Sequence, residues 1–594
     1  MKIGKTQQRS LLIPSLLALA ALALASMPAA AQLNPTQPTP QPRLSSQAAE
    51  SSVFLPLVLL PPPADLVIAG AEITQATQTM ENTVSLVANK PTVVRVYAQN
   101  NRSGSINGVY VSLSAARNGS PLAGSPMTLG PLSVSNTWTR GNLSASYNFT
   151  LPSAWLSGAV TLQIRVDPNN TINEGYAEGN NLTTLVANFN DVPPLNVKVV
   201  PINYIHPPTG KEYPPASSSF LGPGLVRMFP VSSAPVTTRN PSVSWSRNLS
   251  VDDNWRLLLN EITSKKQLDN APDSQVYYGL VPLFDNNGFS WFSGGIVGIG
   301  WVGLRVSVGL ADASPYLSGT ETANHEIGHN LGRDHAPCGV SGDDNYPYPG
   351  GLIGQYGLRP DIMKLFDPAT YVDIMSYCEP TWISDYNYQA LFNAQMSSGA
   401  AAQSSQEQVE SLLVRANLLD DGTVEMDPSY AFTGAPDSLP EESDYTLELL
   451  GADGFPVASY PLPVLRAEEE QVSIRSIISM VPLPGKPYTS LRIAEKGQTK
   501  AERAMAEASP ARLLAPAIQA SQQGAVLSWG AAGTPAVVRY TTDNGQTWTT
   551  LALDYLGGEL TLDEQALPKE NLQFEIILAD QTGSSLTLDW DNSQ

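Results

Sequence analysis

The chain has 594 residues, enough for three or four domains of ordinary size. A hydrophobic content of 42% with 15% charged residues describes a globular protein and excludes intrinsic disorder as its general state. The formal net charge of -21 repels phosphate backbones, so no nucleic acid is expected as a partner.

In chain order, Lys2, Lys5 and Arg9 form a basic start, and Leu11 to Ala25 form an apolar run. Ala29, Ala30 and Ala31 then offer a small-residue cleavage site. This predicts a signal peptide over 1–31, cut between Ala31 and Gln32, and a secreted, extracellular protein. No later stretch has the apolar length of a membrane span. Residues 32–63 are Pro-rich and read as a spacer.

Residues 64–192 show short alternating runs, such as Thr92 to Tyr97 and Val160 to Val166, separated by Asn- and Gly-rich turns. That pattern predicts an all-β sandwich. The stretch from Val166–Asp167–Pro168 to Glu178–Gly179–Asn180–Asn181 resembles bacterial adhesion-type immunoglobulin-like domains, modules that usually act as spacers.

Residues 194–400 read as mixed α and β. Asp252 or Asp253 can cap a helix with Trp255, Leu257, Leu258 and Ile262 on its apolar face. Val276 to Phe284 reads as a strand that Pro282 places at an edge or ends early. A Gly-rich run from Gly294 leads into the alternating Leu304 to Val308, the candidate edge for pairing with a substrate backbone. Helices are predicted over Glu321 to Leu331 and Asp385 to Met396. Residues 405–510 and 511–594 return to short strands and turns, as a β-rich domain and a C-terminal β-sandwich-like domain. In the last, Thr541, Asp543, Gly545 and Trp548 resemble an Asp-box hairpin, a turn device when it occurs singly.

The chemistry concentrates at His325-Glu326-Ile327-Gly328-His329-Asn330-Leu331-Gly332-Arg333-Asp334-His335, which holds three of the four histidines of the chain. On a helix, His325 and His329 project from one face, one turn apart. Gly332 permits the tight turn that ends the helix and returns His335 to the same point. Three neutral imidazoles with a fourth position open are the ligand set of a catalytic zinc, and Glu326 stands beside the first ligand as a general base.

This segment matches the metzincin zinc-peptidase signature, and Asp373-Ile374-Met375-Ser376-Tyr377-Cys378 resembles the Met-containing turn of the same clan. The resemblance covers roughly 194–400. It implies an α/β (α+β) metzincin-type catalytic domain flanked by all-β sandwich domains, with bacterial secreted, mucinase-like members as the nearer analogy. It implies that Met375 floors the site without binding metal, and that Tyr377 donates to the oxyanion. The two cysteines of an exported chain, Cys338 and Cys378, are expected to form a disulfide between the third ligand's loop and the Met turn, the alternative being two buried thiols.

The expected function is zinc-dependent endopeptidase cleavage of extracellular protein or glycoprotein. The alternative from another class is a surface adhesion or binding protein with a catalytically silent zinc site. Gly342-Asp343-Asp344-Asn345 is a candidate calcium loop, with an ordinary polar loop as its alternative. His206 is expected in a structural or surface role, Asp334 as a turn shaper, and Trp382 in packing below the site.

Overall fold

The computed structural model describes residues 2–3, 64–311, 318–402, 407–467, 475–507, 515–521, 524–582 and 585–592. Most of the predicted signal peptide and the whole Pro-rich spacer lie outside them. The protein is multidomain and mostly β, with four α-helices among the described residues. No helix among them is long and apolar enough to cross a membrane.

The first unit is two sheets face to face. Leu66–Thr74, Val93–Asn100 and Tyr147–Thr150 form one; Ile106–Arg117, Gly158–Val166 and Leu182–Asn190 are the long strands of the other. Strict alternation explains the pairing: Val160, Leu162, Ile164 and Val166 are buried while the residues between them face outward or lie half-buried. The resulting core includes Val94, Val111, Phe149 and Trp155.

The central unit carries the four helices. Its strands are β1 (Val197–His206), β2 (Lys211–Tyr213), β3 (Val236–Thr238), β4 (Val243–Trp245), β5 (Val276–Val281), β6 (Gly295–Ile296), β7 (Gly298–Gly300) and β8 (Val306–Leu310). The main sheet runs β2-β1-β5-β8-β7. β1, β5 and β8 are parallel, and β7 closes the sheet antiparallel to β8, with Gly298 opposite Gly309. All six residues of β5 are buried, as suits a parallel strand covered on both faces. Pro282 therefore ends β5 and does not mark an edge.

The candidate substrate edge changes as well. β8 lies inside the sheet between β5 and β7, so Leu304 to Val308 offers no free edge. The outer position belongs to β7, and just before it β6 pairs antiparallel with Lys2–Ile3. The alternation at 304–308 reads the same for interior and edge strands, which is why the sequence pointed one strand too far inward.

Helix α1 spans Leu221–Met228 and α2 spans Asp252–Leu268. Val251 holds the cap position of α2, so Asp252 and Asp253 lie in its first turn, where their charge favours the helix dipole. Trp255, Leu258, Leu259 and Ile262 are buried, whereas Leu257 is only half-buried. Helix α3 (Gly319–Asn330) packs on β7 and β8, and α4 (Asp385–Ala402) follows the predicted Asp385 start.

Beyond α4, Val409–Leu418 and Tyr445–Leu450 anchor two four-stranded sheets around one core. A last pair of sheets is built on Gly524–Ser528 and Ala536–Thr541 around Trp529 and Phe574. A further apolar cluster joins Leu268 of α2 to Leu413, Tyr430, Val537 and Ile577, so the C-terminal β units share a core with the central one.

Candidate metal centre

Helix α3 sets the site. The Ser318 side chain accepts from the Glu321 backbone N–H and caps the helix start. At the other end Leu331 caps the helix and Gly332 takes a φ of 82°, in the left-handed region that favours glycine. The chain turns there and returns His335 to the helix.

The three imidazoles converge. His329 Nε2 lies 3.1 Å from His325 Nε2 and 3.2 Å from His335 Nε2. The Nδ1–H of His325 donates to the Ile374 carbonyl at 2.7 Å, and that of His329 to the Arg333 carbonyl at 2.6 Å. A carbonyl only accepts, so these contacts place the protons on Nδ1 and leave both Nε2 lone pairs facing the shared point. Burial, with repulsion from its histidine neighbours, holds His325 well below the usual imidazole range. Burial likewise lowers His329 to about 3 and His335 to about 2, the latter with repulsion from His329. Three neutral lone pairs aimed at one another in a dry interior are unfavourable without a cation between them. Four-coordinate zinc at about 2.0–2.1 Å from each nitrogen spaces its ligands by about 3.3 Å, close to what is found. Among the described residues this is the one group of three or more His, Cys, Asp or Glu whose donor atoms all lie within 4.8 Å of one another.

The remaining predicted residues surround the trio. Glu326 is buried, 1% exposed, and two glycines make room for it: a Cβ at Gly298 would stand 2.6 Å from Glu326 Oε1, and one at Gly300 would stand 2.9 Å from its carbonyl. Met375 is fully buried, and its sulfur occupies the space a Cβ at Gly328 would need, so Gly328 lets the Met turn press against α3. The Tyr377 ring is half-buried, 4.8 Å from His335 and 5.8 Å from His325 by centroids. Cys338 and Cys378 are bonded, and Ala336 N–H donates to the Met375 carbonyl while Tyr377 N–H donates to that of Cys338. The loop that carries His335 and the turn that carries Met375 are thus tied by one covalent and two hydrogen bonds.

Several supporting residues were not anticipated. Asp373 is buried and accepts from Met375 N–H, Asn387 Nδ2 and Ser384 N–H, which shapes the Met turn. Arg333 donates to Asn387 of α4 and pairs with Asp343, which also accepts from Tyr386. The candidate calcium loop therefore has its first carboxylate turned inward onto Arg333 and Tyr386, and Asp343 N–H bonds the His335 carbonyl. Asp334 does more than shape a turn: it pairs at 2.6 Å with Arg466 from the following β unit. Trp382 stacks on Phe366 at 3.7 Å and donates to the Ala76 carbonyl of the first unit, so it packs behind the site. His206 bonds Thr209 near the surface. The signal that could have found Asp373 is its place two residues before Met375; Arg466 carried none, because its partner is 132 residues away.

No family model and no curated protein matches the chain. Among solved structures, the CARDB domain of a Pyrococcus furiosus protein is 20% identical over 22% of this chain and 96% of that one, with a TM-score of 0.15. A crystal structure of a Pyrococcus furiosus CARDB domain in complex with di-metal ions is 20% identical over 22% and 90%, with a TM-score of 0.14. A glycosyl hydrolase family 2 member from Bacteroides cellulosilyticus is 8% identical over 89% and 79%, with a TM-score of 0.16. At these scores none of them carries a fold or a function to this chain.

Proposed function

We propose that the protein is a zinc-dependent endopeptidase of the metzincin type that hydrolyses peptide bonds of extracellular proteins or glycoproteins. The observation that carries this reading is the meeting of three buried imidazole nitrogens at one point, two of them from the helix that also carries the buried Glu326. His325, His329 and His335 would hold the ion. Bound zinc supplies a Lewis acid that acidifies water and polarises a carbonyl. Glu326 takes the proton of the attacking water on its carboxylate and delivers it to the leaving amine nitrogen. The Tyr377 phenol donates a hydrogen bond to the oxyanion of the tetrahedral carbon. Met375 and the Cys338–Cys378 bridge hold His335 and Tyr377 in register. The edge over β6 and β7 suits an extended substrate backbone, and its antiparallel pairing with Lys2–Ile3 supports that use.

The test is terminal proteomics on a complex protein mixture treated with wild type or Glu326→Ala. New N-termini are expected with wild type, and general-base loss should lower their yield by about 10² to 10⁴. Equal yields from the two proteins, each holding one zinc, would favour an adhesion or binding protein with a silent site.

A further inference from the structure

The hairpin that joins β7 to β8 closes against the last turn of α3. Trp301 N–H donates to the Val306 carbonyl at 3.2 Å, but Val306 N–H turns back to the Leu304 carbonyl at 2.7 Å, so the ladder returns no bond to the Trp301 carbonyl. The helix supplies it. Asn330 Nδ2 donates to the Trp301 carbonyl at 3.1 Å and to the Val306 carbonyl at 2.8 Å. Its Oδ1 accepts from the Ser307 hydroxyl at 2.8 Å. One residue earlier, the His329 carbonyl accepts from Gly303 N–H at 2.9 Å. Gly300 lets the strand come this close, since a Cβ there would stand 3.2 Å from Asn330 Nδ2.

Asn330 is 2% exposed and Ser307 is fully buried. The amide group of Asn330 makes three bonds, none of which a leucine of similar volume could make. Losing them would strand buried carbonyls of the hairpin. The bonds tie the hairpin to α3 at the residue after His329, whose ring meets the other two histidines. On the outer side of the hairpin, Val302 N–H donates to the Arg466 carbonyl at 2.9 Å, and Trp301 faces Ala467 in an isolated antiparallel bridge. A peptide that pairs with β7 can therefore run no further than Gly300, next to the clamp.

We propose that Asn330 is a positioning residue for substrate binding: its amide clamps the hairpin and so holds the β7 edge in fixed register with the histidine trio before a substrate arrives. An extended peptide then meets a preformed edge and bears no cost of ordering it. Asn330 touches neither substrate nor metal, and its effect passes through the backbone of Trp301 and Val306. The inference rests on the peptidase reading above and deepens it by naming what holds the substrate edge.

Asn330→Ala and the milder Ser307→Ala test it, compared with wild type and Glu326→Ala at equal zinc occupancy on an extended quenched peptide. An edge that must be ordered on binding raises KM and leaves kcat alone. The expected rise is roughly 10-fold for Asn330→Ala and roughly 2-fold for Ser307→Ala. Hydrogen exchange should show lost protection at the Trp301 and Gly303 amides, with the Ala336 and Tyr377 amides of the metal-site loops as protected as in wild type. If Asn330→Ala does not fold, Ser307→Ala carries the test by the same two readouts. An unchanged KM, a lowered kcat at constant KM, or protection lost equally at Ala336 and Tyr377 would each overturn the proposal. If wild type itself cleaves no better than Glu326→Ala, the peptidase reading fails and this inference with it. An active wild type whose KM neither variant changes removes this inference alone.

Discussion

The Tyr377 ring lies against His335 and His325, and its backbone N–H is held by the disulfide-bonded Cys338. On the proposed peptidase reading, a phenol held this way would donate in the transition state more than in the ground state. Tyr377→Phe should therefore lower kcat by about 10²-fold and leave KM near the wild-type value, measured on a quenched peptide substrate. A rise in KM at constant kcat would instead mean that Tyr377 binds substrate. The meeting of His325, His329 and His335 could be read from the sequence because a shared ligand set dictates both residue type and spacing. Asp373, Asn387, Arg333 and Asp343 could not. Their roles depend on contacts between segments up to 54 residues apart, and many polar residues could have supplied them.

At the scale of elements, the helix that carries His325 and His329 could be located because its end is fixed by the glycine turn. Its start lies two residues earlier than expected, at Gly319, where Ser318 supplies the cap. The edge strand was misplaced because β6 and β7 are five residues of Gly, Ile and little else, and periodicity has nothing to act on there. The loop between Cys338 and Cys378 has a sequence separation of 40. Closing a loop of that length stabilises the fold by about 3 to 4 kcal/mol in the chain-entropy model. Replacing both cysteines with serine should cost about that much in denaturant unfolding, and intact-protein mass mapping without reduction should recover the linked peptides. Free thiols at both positions in the purified, unreduced protein would contradict the bridge.

At the scale of the molecule, the units are joined by buried polar contacts that alternation patterns did not foretell. The turn from Thr541 to Trp548 is a docking device: Asp543 binds Thr541 and Thr547 within the hairpin, while Trp548 N–H donates to the Asp269 carbonyl at the end of α2. Arg539 lies over the Trp548 ring at 4.2 Å and donates to the Leu268 carbonyl.

The first unit is joined to the central one by Lys90, whose buried ammonium donates to the carbonyls of Val226, Phe229 and Val231 at the end of α1. Burial lowers Lys90 to about 7 from its ordinary 10.5. Between those values the unfolded chain binds the extra proton, so this residue makes stability rise with pH from about 7 toward 10. The stability difference between wild type and Lys90→Met should widen over that window, by at most about 1.4 kcal/mol per pH unit. A flat difference would mean that the three carbonyls keep the ammonium charged in the fold.

The proposed chemistry depends on one ion held by three side chains. Anomalous diffraction at the zinc absorption edge, on crystals of the purified protein, reads this directly. The predicted result is a single strong peak about 2.0–2.1 Å from Nε2 of His325, His329 and His335, with Glu326 beside it and not bound to it. No peak in zinc-supplemented crystals, or a peak that the three histidines do not share, would contradict it.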